Sequence, residues 1–413
     1  MLLLSLPKQL RFAKYLIRVS LVVLLVVGLT QPLLQTPAVA MQNQQSITPQ
    51  TALERLATAN AVASEWFAPS FLAQVSVQQV QNILMSLTTE LGKYQRVEPS
   101  GNDYQLVYEK GVVPAKIVLD PKGQIVGLRF LPVQAQFKSL DDAIAQFKQL
   151  PGKVSLLIVE NNVKKVGLNE STPLAVGSAF KLAVLAALKT QIESGQHRWD
   201  EVISLQERQK SLPSGFLQSW ADGSLLTVQS VAALMISQSD NTATDHLIHL
   251  VGRDAIEPLT PRNQPFLTTR EAFILKAQTN HDLLQRYRAA NLSARRALLD
   301  EIAQRPLPGV EEFVADPVAL DIEWFFTPAE LCSLMNRVKD LPLMSINPGI
   351  SNSQAWARVA FKGGSEPGVI NLTTALQAKN GKQYCVVATW NHNQALDETR
   401  FVSLYESTIA LLK

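Results

Sequence analysis

Three short stretches carry residue types that can do chemistry together. In "AVGSAFKLAVLAALKT" (residues 175–190) Ser178 stands three residues before Lys181 at the mouth of an apolar helical run. A spacing of i, i+3 puts both side chains on one helical face. A serine hydroxyl is a weak nucleophile until a neighbouring base takes its proton, and a neutral lysine amine can do so. The spacing alone is common: Ser5 and Lys8 have it too, near the start of the chain. The other two stretches are Ser239-Asp240-Asn241 in "LMISQSDNTATDHLI" and Lys362-Gly363-Gly364 in the strand-like "VAFKGGSEPGV".

Ser-x-x-Lys, Ser-Asp-Asn and a Lys-x-Gly strand, in that order, resemble the signature of the penicillin-recognising serine enzymes, above all class A β-lactamases. "FFTPAELCSLM" resembles the family's helix after its omega loop, and the resemblance covers most of 136–413. It implies Ser178 as the acylated nucleophile, Lys181 as its proton acceptor and Ser239 as a proton shuttle to the leaving nitrogen. It further implies Asn241 and Lys362 as substrate contacts beside Gly364. The amides of Ser178 and Ser365 would form an oxyanion hole. The implied activity is β-lactam hydrolysis. A D-Ala-D-Ala carboxypeptidase or esterase, or a penicillin-binding sensor that does not hydrolyse, are the alternatives.

Two departures stand out. Gly363 replaces the Thr or Ser hydroxyl that the family offers to the substrate carboxylate, leaving Ser365 to supply it. The omega-loop Glu-x-x-Leu-Asn, source of the deacylating base, is missing in that form; Glu271 in "TTREAFILK" is the positional candidate, although Thr268 and Glu271 also make a plain capping box. Asp240 reads as a cap for its own loop.

The elements that must position these residues follow from patterning. Around 136 the text turns to a helix, "SLDDAIAQFKQL", and two strands, "VSLLIVE" and "VKKVGLN"; strands "WARVAFKGG", "GVINLTTALQ" and "QYCVVATW" and a last helix close the chain. An α+β domain is expected over 136–413, with an antiparallel sheet built from both ends of the segment, flanking helices and a helical subdomain. Residues 41–135, two helical patterns and then four short strands, read as a small α+β domain similar to nuclear-transport-factor-2-like modules, with cell-wall contact as its candidate role.

Residues 1–40 read as an export signal: basic residues, the apolar "VSLVVLLVVGL", then "AVA" ending at Ala40. The run is short for a membrane span, so a periplasmic or secreted protein is expected, and an uncleaved anchor is the less favoured reading. The signal holds four of the 38 basic residues and none of the 35 acidic ones, so the rest is close to neutral. Nothing then argues for nucleic acid, which would call for a clustered basic face. The expected partner is a β-lactam or acyl-D-Ala-type small molecule, with neither cofactor nor metal. "HLIH" (His246, His249) lacks the Glu of a zinc helix and reads as a polar helix face. Cys332 and Cys385 are open between a bridge and two buried thiols.

Overall fold

The computed structural model describes residues 47–412 apart from 101, 102, 132, 136, 314, 315, 350 and 352, so the segment read as an export signal lies outside the described residues. The chain divides into two compact units, one up to residue 136 and one from Phe137.

In the first unit, helix α1 (Pro49–Thr58) starts inside the polar stretch that precedes the first apolar pattern, because Thr48 caps it and Pro49 sits at its first position. After the short α2 (Pro69–Leu72), α3 (Val77–Leu91) opens with a Ser76–Gln79 capping box and buries Val80, Leu84, Leu87 and Leu91 along one stripe. Four strands follow: β1 (Tyr94–Ser100), β2 (Asp103–Tyr108), β3 (Gly111–Leu119) and β4 (Ile125–Phe130). They form an antiparallel meander in sequence order, and β5 (Gln134–Ala135) pairs with β3. Leu53, Phe67, Leu106 and Val113 lie in its core.

The second unit begins with α4 (Leu140–Phe147) and the strands β6 (Lys153–Glu160) and β7 (Val163–Leu168). Late in the chain come β12 (Arg358–Glu366), β13 (Val369–Gln377), β14 (Gln383–Asn391) and α13 (Glu398–Ala410). They complete one antiparallel sheet of order β12-β13-β14-β6-β7. β13 and β14 are buried along almost their whole length, as strands covered on both faces must be. Side chains alternate faces along β14. Trp390 packs on Phe401 of α13, while Cys385, of opposite parity, meets α12 (Pro328–Val338) in a disulfide with Cys332. The two thiols thus form a bridge, with Cα atoms 5.9 Å apart.

Between the two halves of the sheet lies the helical part. β8 (Leu174–Ala175) leads into the central α5 (Lys181–Glu193), whose residues 181–188 are all buried. The β9–β10 pair (Val202–Ser204, Leu225–Thr227), α6 (Val228–Ser237), α7 (Asn241–Val251), α8 (Arg253–Ile256) and α9 (Thr269–Lys276) follow. Residues 281–304 then form two helices, α10 (His281–Ala289) and α11 (Leu292–Gln304), since Asn291 caps the second. β11 (Phe325–Phe326) then pairs with β8.

Candidate active site

Ser178 lies on a single 3-10 turn, Gly177–Phe180, that runs straight into α5. The turn is held from three sides. Val176 donates its N–H to the Trp324 carbonyl (3.1 Å), Phe180 stacks on Trp324 with ring centres 3.8 Å apart, and Phe266 meets Phe180 edge-on. The edge strand β12 then lies directly on it. A Cβ on Gly364 would sit 2.3 Å from the Ser178 nitrogen, and one on Gly177, at φ +48°, would sit 3.2 Å from the Ser365 nitrogen. Only glycine permits this approach. The two amides named for an oxyanion hole therefore border one glycine–glycine contact.

Lys181 is fully buried. Its Nζ donates to the Ser239 carbonyl (2.5 Å) and to Asn241 Oδ1 (2.7 Å), and lies 3.2 Å from Ser239 Oγ. No hydrogen bond joins Lys181 to Ser178, so the direct contact expected from the i, i+3 spacing is replaced by a link to the Ser-Asp-Asn loop. Burial, and then the positive charge of Lys362, hold the Lys181 amine well below the usual lysine range. Lys362 reaches the same hydroxyl, Nζ to Ser239 Oγ 3.0 Å, and its own burial lowers it to about 7.

Ser239 holds a left-handed backbone, φ +55°, a strained state for a residue with a side chain. Asp240 secures it. One carboxylate oxygen caps α7 through the Ala243 N–H (2.8 Å), and the other accepts the N–H groups of Phe216 (2.7 Å) and Leu217 (2.9 Å). Ser214 adds a hydroxyl bond to the Ser239 carbonyl (2.7 Å) and accepts the Asn241 N–H. Asn241 Nδ2 is bound to the Leu212 carbonyl (3.0 Å), so in this conformation its amide is spent inside the protein.

Glu271 does not join this constellation. Its carboxylate accepts the Thr268 N–H (2.8 Å) in a capping box and pairs with Arg253 Nη2 at 2.5 and 2.6 Å. No hydrogen bond links it to Ser178, Lys181, Ser239 or Lys362. The helix start and the arginine hold its carboxylate in this structure. His246 also differs from the expected polar face. It is buried, accepts the Gln206 N–H at Nε2 (2.9 Å) and meets the Thr242 carbonyl at Nδ1 (2.8 Å). Among the described residues no group of three or more His, Cys, Asp or Glu could hold a metal.

Sequence reading missed the residues that seat α9. Asp245, one helical turn beyond Asn241, accepts the N–H groups of Thr269 (2.7 Å) and Arg270 (2.8 Å), and its burial raises it to about 7. Its place on α7, i+4 from Asn241, was the one available hint.

Residues 136–298 match the family model described as "Beta-lactamase enzyme family". Over that stretch, which holds Ser178, Lys181 and the Ser-Asp-Asn loop, the second unit is similar to that family. The search of curated proteins gives no match. Among solved structures, PBP-A is 16% identical, with 68% of this chain and 98% of that chain covered and a TM-score of 0.46. A β-lactamase from Sphaerobacter thermophilus DSM 20745 is 20% identical over 66% and 96%, at 0.43. A class A representative from Bacteroides cellulosilyticus DSM 14838 is 17% identical over 66% and 95%, at 0.45. In the second unit, α5 through Lys181, the Ser-Asp-Asn loop and the edge strand through Lys362 are three separate segments meeting around the Ser239 hydroxyl.

Proposed function

We propose that the protein is an exported serine hydrolase that opens β-lactams through an acyl-serine on Ser178 and releases the acyl group slowly. Ser178 Oγ attacks the lactam carbonyl carbon, and its proton passes to the neutral Lys181 amine. The C–N bond then breaks, with Ser239 handing its proton to the leaving nitrogen and taking in its place the proton held by Lys181. Lys362, when protonated, attracts the substrate carboxylate and repels a proton on Lys181. Water completes the cycle by attacking the ester, freeing Ser178 and an open acid. The observation that carries this reading is the burial of Lys181 against Ser239 and Asn241 beside Lys362, which favours an amine able to act as a base near neutral pH.

Slow release is supported by Glu271, whose carboxylate is committed to Arg253 and the Thr268 amide. The same observation favours a second reading, a penicillin-binding sensor that stays acylated. Export is supported by the Cys332–Cys385 bridge, a feature of oxidising compartments. Intact-mass spectra after mixing with a penicillin test both readings. The expected result is a penicilloyl adduct on Ser178 that decays over minutes and is absent from Ser178→Ala. A permanent adduct selects the sensor, and undiminished labelling of Ser178→Ala removes Ser178 as nucleophile.

A further inference from the structure

A second buried charge cluster lies on the edge strand beyond the oxyanion amides. Lys276, the last residue of α9, donates to both oxygens of Glu366 at 2.8 Å and also binds Glu323. The side chains of Lys276 and Glu323 are only 3% and 2% exposed, and that of Glu366 24%. Oε2 of Glu323 is buried with no donor facing it, and the Glu366 carboxylate is its neighbour. Two acceptors in that position are satisfied when a proton lies between them. Burial first, and the Glu366 charge second, raise Glu323 above the usual carboxylate range, which favours that proton.

The chain positions of the two carboxylates give the cluster its meaning. Glu366 follows Ser365 directly on β12. Glu323 precedes Trp324, whose carbonyl holds the Val176 N–H two residues before Ser178, and β11 just beyond pairs with β8. One carboxylate thus belongs to the strand carrying the Ser365 amide, and the other to the segment that holds the Ser178 turn. Lys276 draws them together across the Gly177–Gly364 contact. We propose that Lys276, Glu323 and Glu366 form a cross-tie that sets the spacing of the Ser178 and Ser365 amides, making them positioning residues for the oxyanion hole. This rests on the acyl-serine reading above. Donors for an oxyanion must be placed before charge develops, and a misplacement of about 1 Å can cost roughly a hundredfold in rate.

The test uses the full chain with Glu366→Gln, Lys276→Met and the charge-conserving Lys276→Arg. Acylation and deacylation rates are measured with a penicillin, and hydrogen exchange is followed in peptides covering 358–368. Both steps pass through an oxyanion, so Glu366→Gln should slow both by a similar factor, roughly tenfold, with little change in initial binding and faster exchange in 358–368. Lys276→Arg should retain most of the acylation rate that Lys276→Met loses. Slowed deacylation with normal acylation would make Glu366 a general base instead and overturn the cross-tie, as would unchanged rates and exchange. If the wild type itself is never acylated, the acyl-serine reading fails separately. Exchange then decides alone: faster exchange in Glu366→Gln keeps the cross-tie, and unchanged exchange sinks it.

Discussion

Lys181 and Lys362 meet at one hydroxyl: their Nζ atoms lie 3.2 and 3.0 Å from Ser239 Oγ, and both side chains are buried. Two ammonium groups cannot share so small a buried site without strong repulsion. Burial lowers both amines, and the neighbouring Lys362 charge lowers Lys181 further.

A pH profile follows from this pair. Lys362 is charged below about 7 and neutral above it. Acylation by a carboxylate-bearing penicillin, read as kcat/KM, should therefore fall as pH rises through about 7, with an acid limb where Lys181 gains a proton. A neutral ester substrate should lack most of the alkaline fall. Stopped-flow acylation between pH 5 and 9 checks both, and an identical alkaline limb for ester and penicillin would sink the assignment to Lys362.

The same group has a stability signature. Lys362 titrates at about 7 in the folded chain and at the ordinary 10.5 when unfolded. Between those values the unfolded chain binds the extra proton, so this contribution raises stability as pH rises from 7 towards 10.5. Lys362→Met should abolish it. The variant should melt above the wild type at pH 7, and the gap should close by about pH 10; calorimetry at the two pH values reads the difference.

Glu271 should matter for stability more than for turnover. Its carboxylate is 8% exposed and paired with Arg253, so Glu271→Ala leaves a half-buried guanidinium without its partner. Breaking such a pair costs about 3 kcal/mol. Urea denaturation should show that loss, while the penicilloyl adduct of the milder Glu271→Gln should decay within about twofold of the wild-type rate, since a residue outside the reacting group removes no transition-state contact.

Asp240 joins stability and catalysis. Asp240→Ala strips three backbone N–H groups, those of Phe216, Leu217 and Ala243, of their acceptor. Each buried orphan costs about 1–3 kcal/mol. The strained Ser239 backbone loses its support at the same time, so acylation should slow beyond what the unfolded fraction accounts for. Denaturation and labelling of the same sample separate the two effects.

Reducing the Cys332–Cys385 bridge, which spans 53 residues, should lower stability by about 4 kcal/mol in the loop-entropy account. Melting with and without a reductant measures it. The acylation rate of the folded protein should stay unchanged, because the bridge ties α12 to the face of β14 opposite α13.

Local chemistry made much of this protein legible before folding was considered. Ser178, Lys181, Ser239, Asn241 and Lys362 carry reactive types at fixed short spacings, and the alternation and periodicity of 136–413 called for a sheet with helices around it. Helix starts at Ser76, Thr268 and Asp240 were equally local, because a cap and its amide lie three residues apart. What needed the tertiary structure was every choice among distant partners. Lys181 could have turned to Ser178 or to a loop 58 residues on, and packing sent it to the loop. Glu271 could have faced a water or an arginine, and burial beside Arg253 decided. Lys276, Glu323 and Glu366 lie 47 and 43 residues apart in sequence and carry no local signal of one another, yet the closure of β12 over the Ser178 turn brings them into one cluster. Charge burial is a sum over everything that packs around a group, so it exists only once the chain has closed on itself.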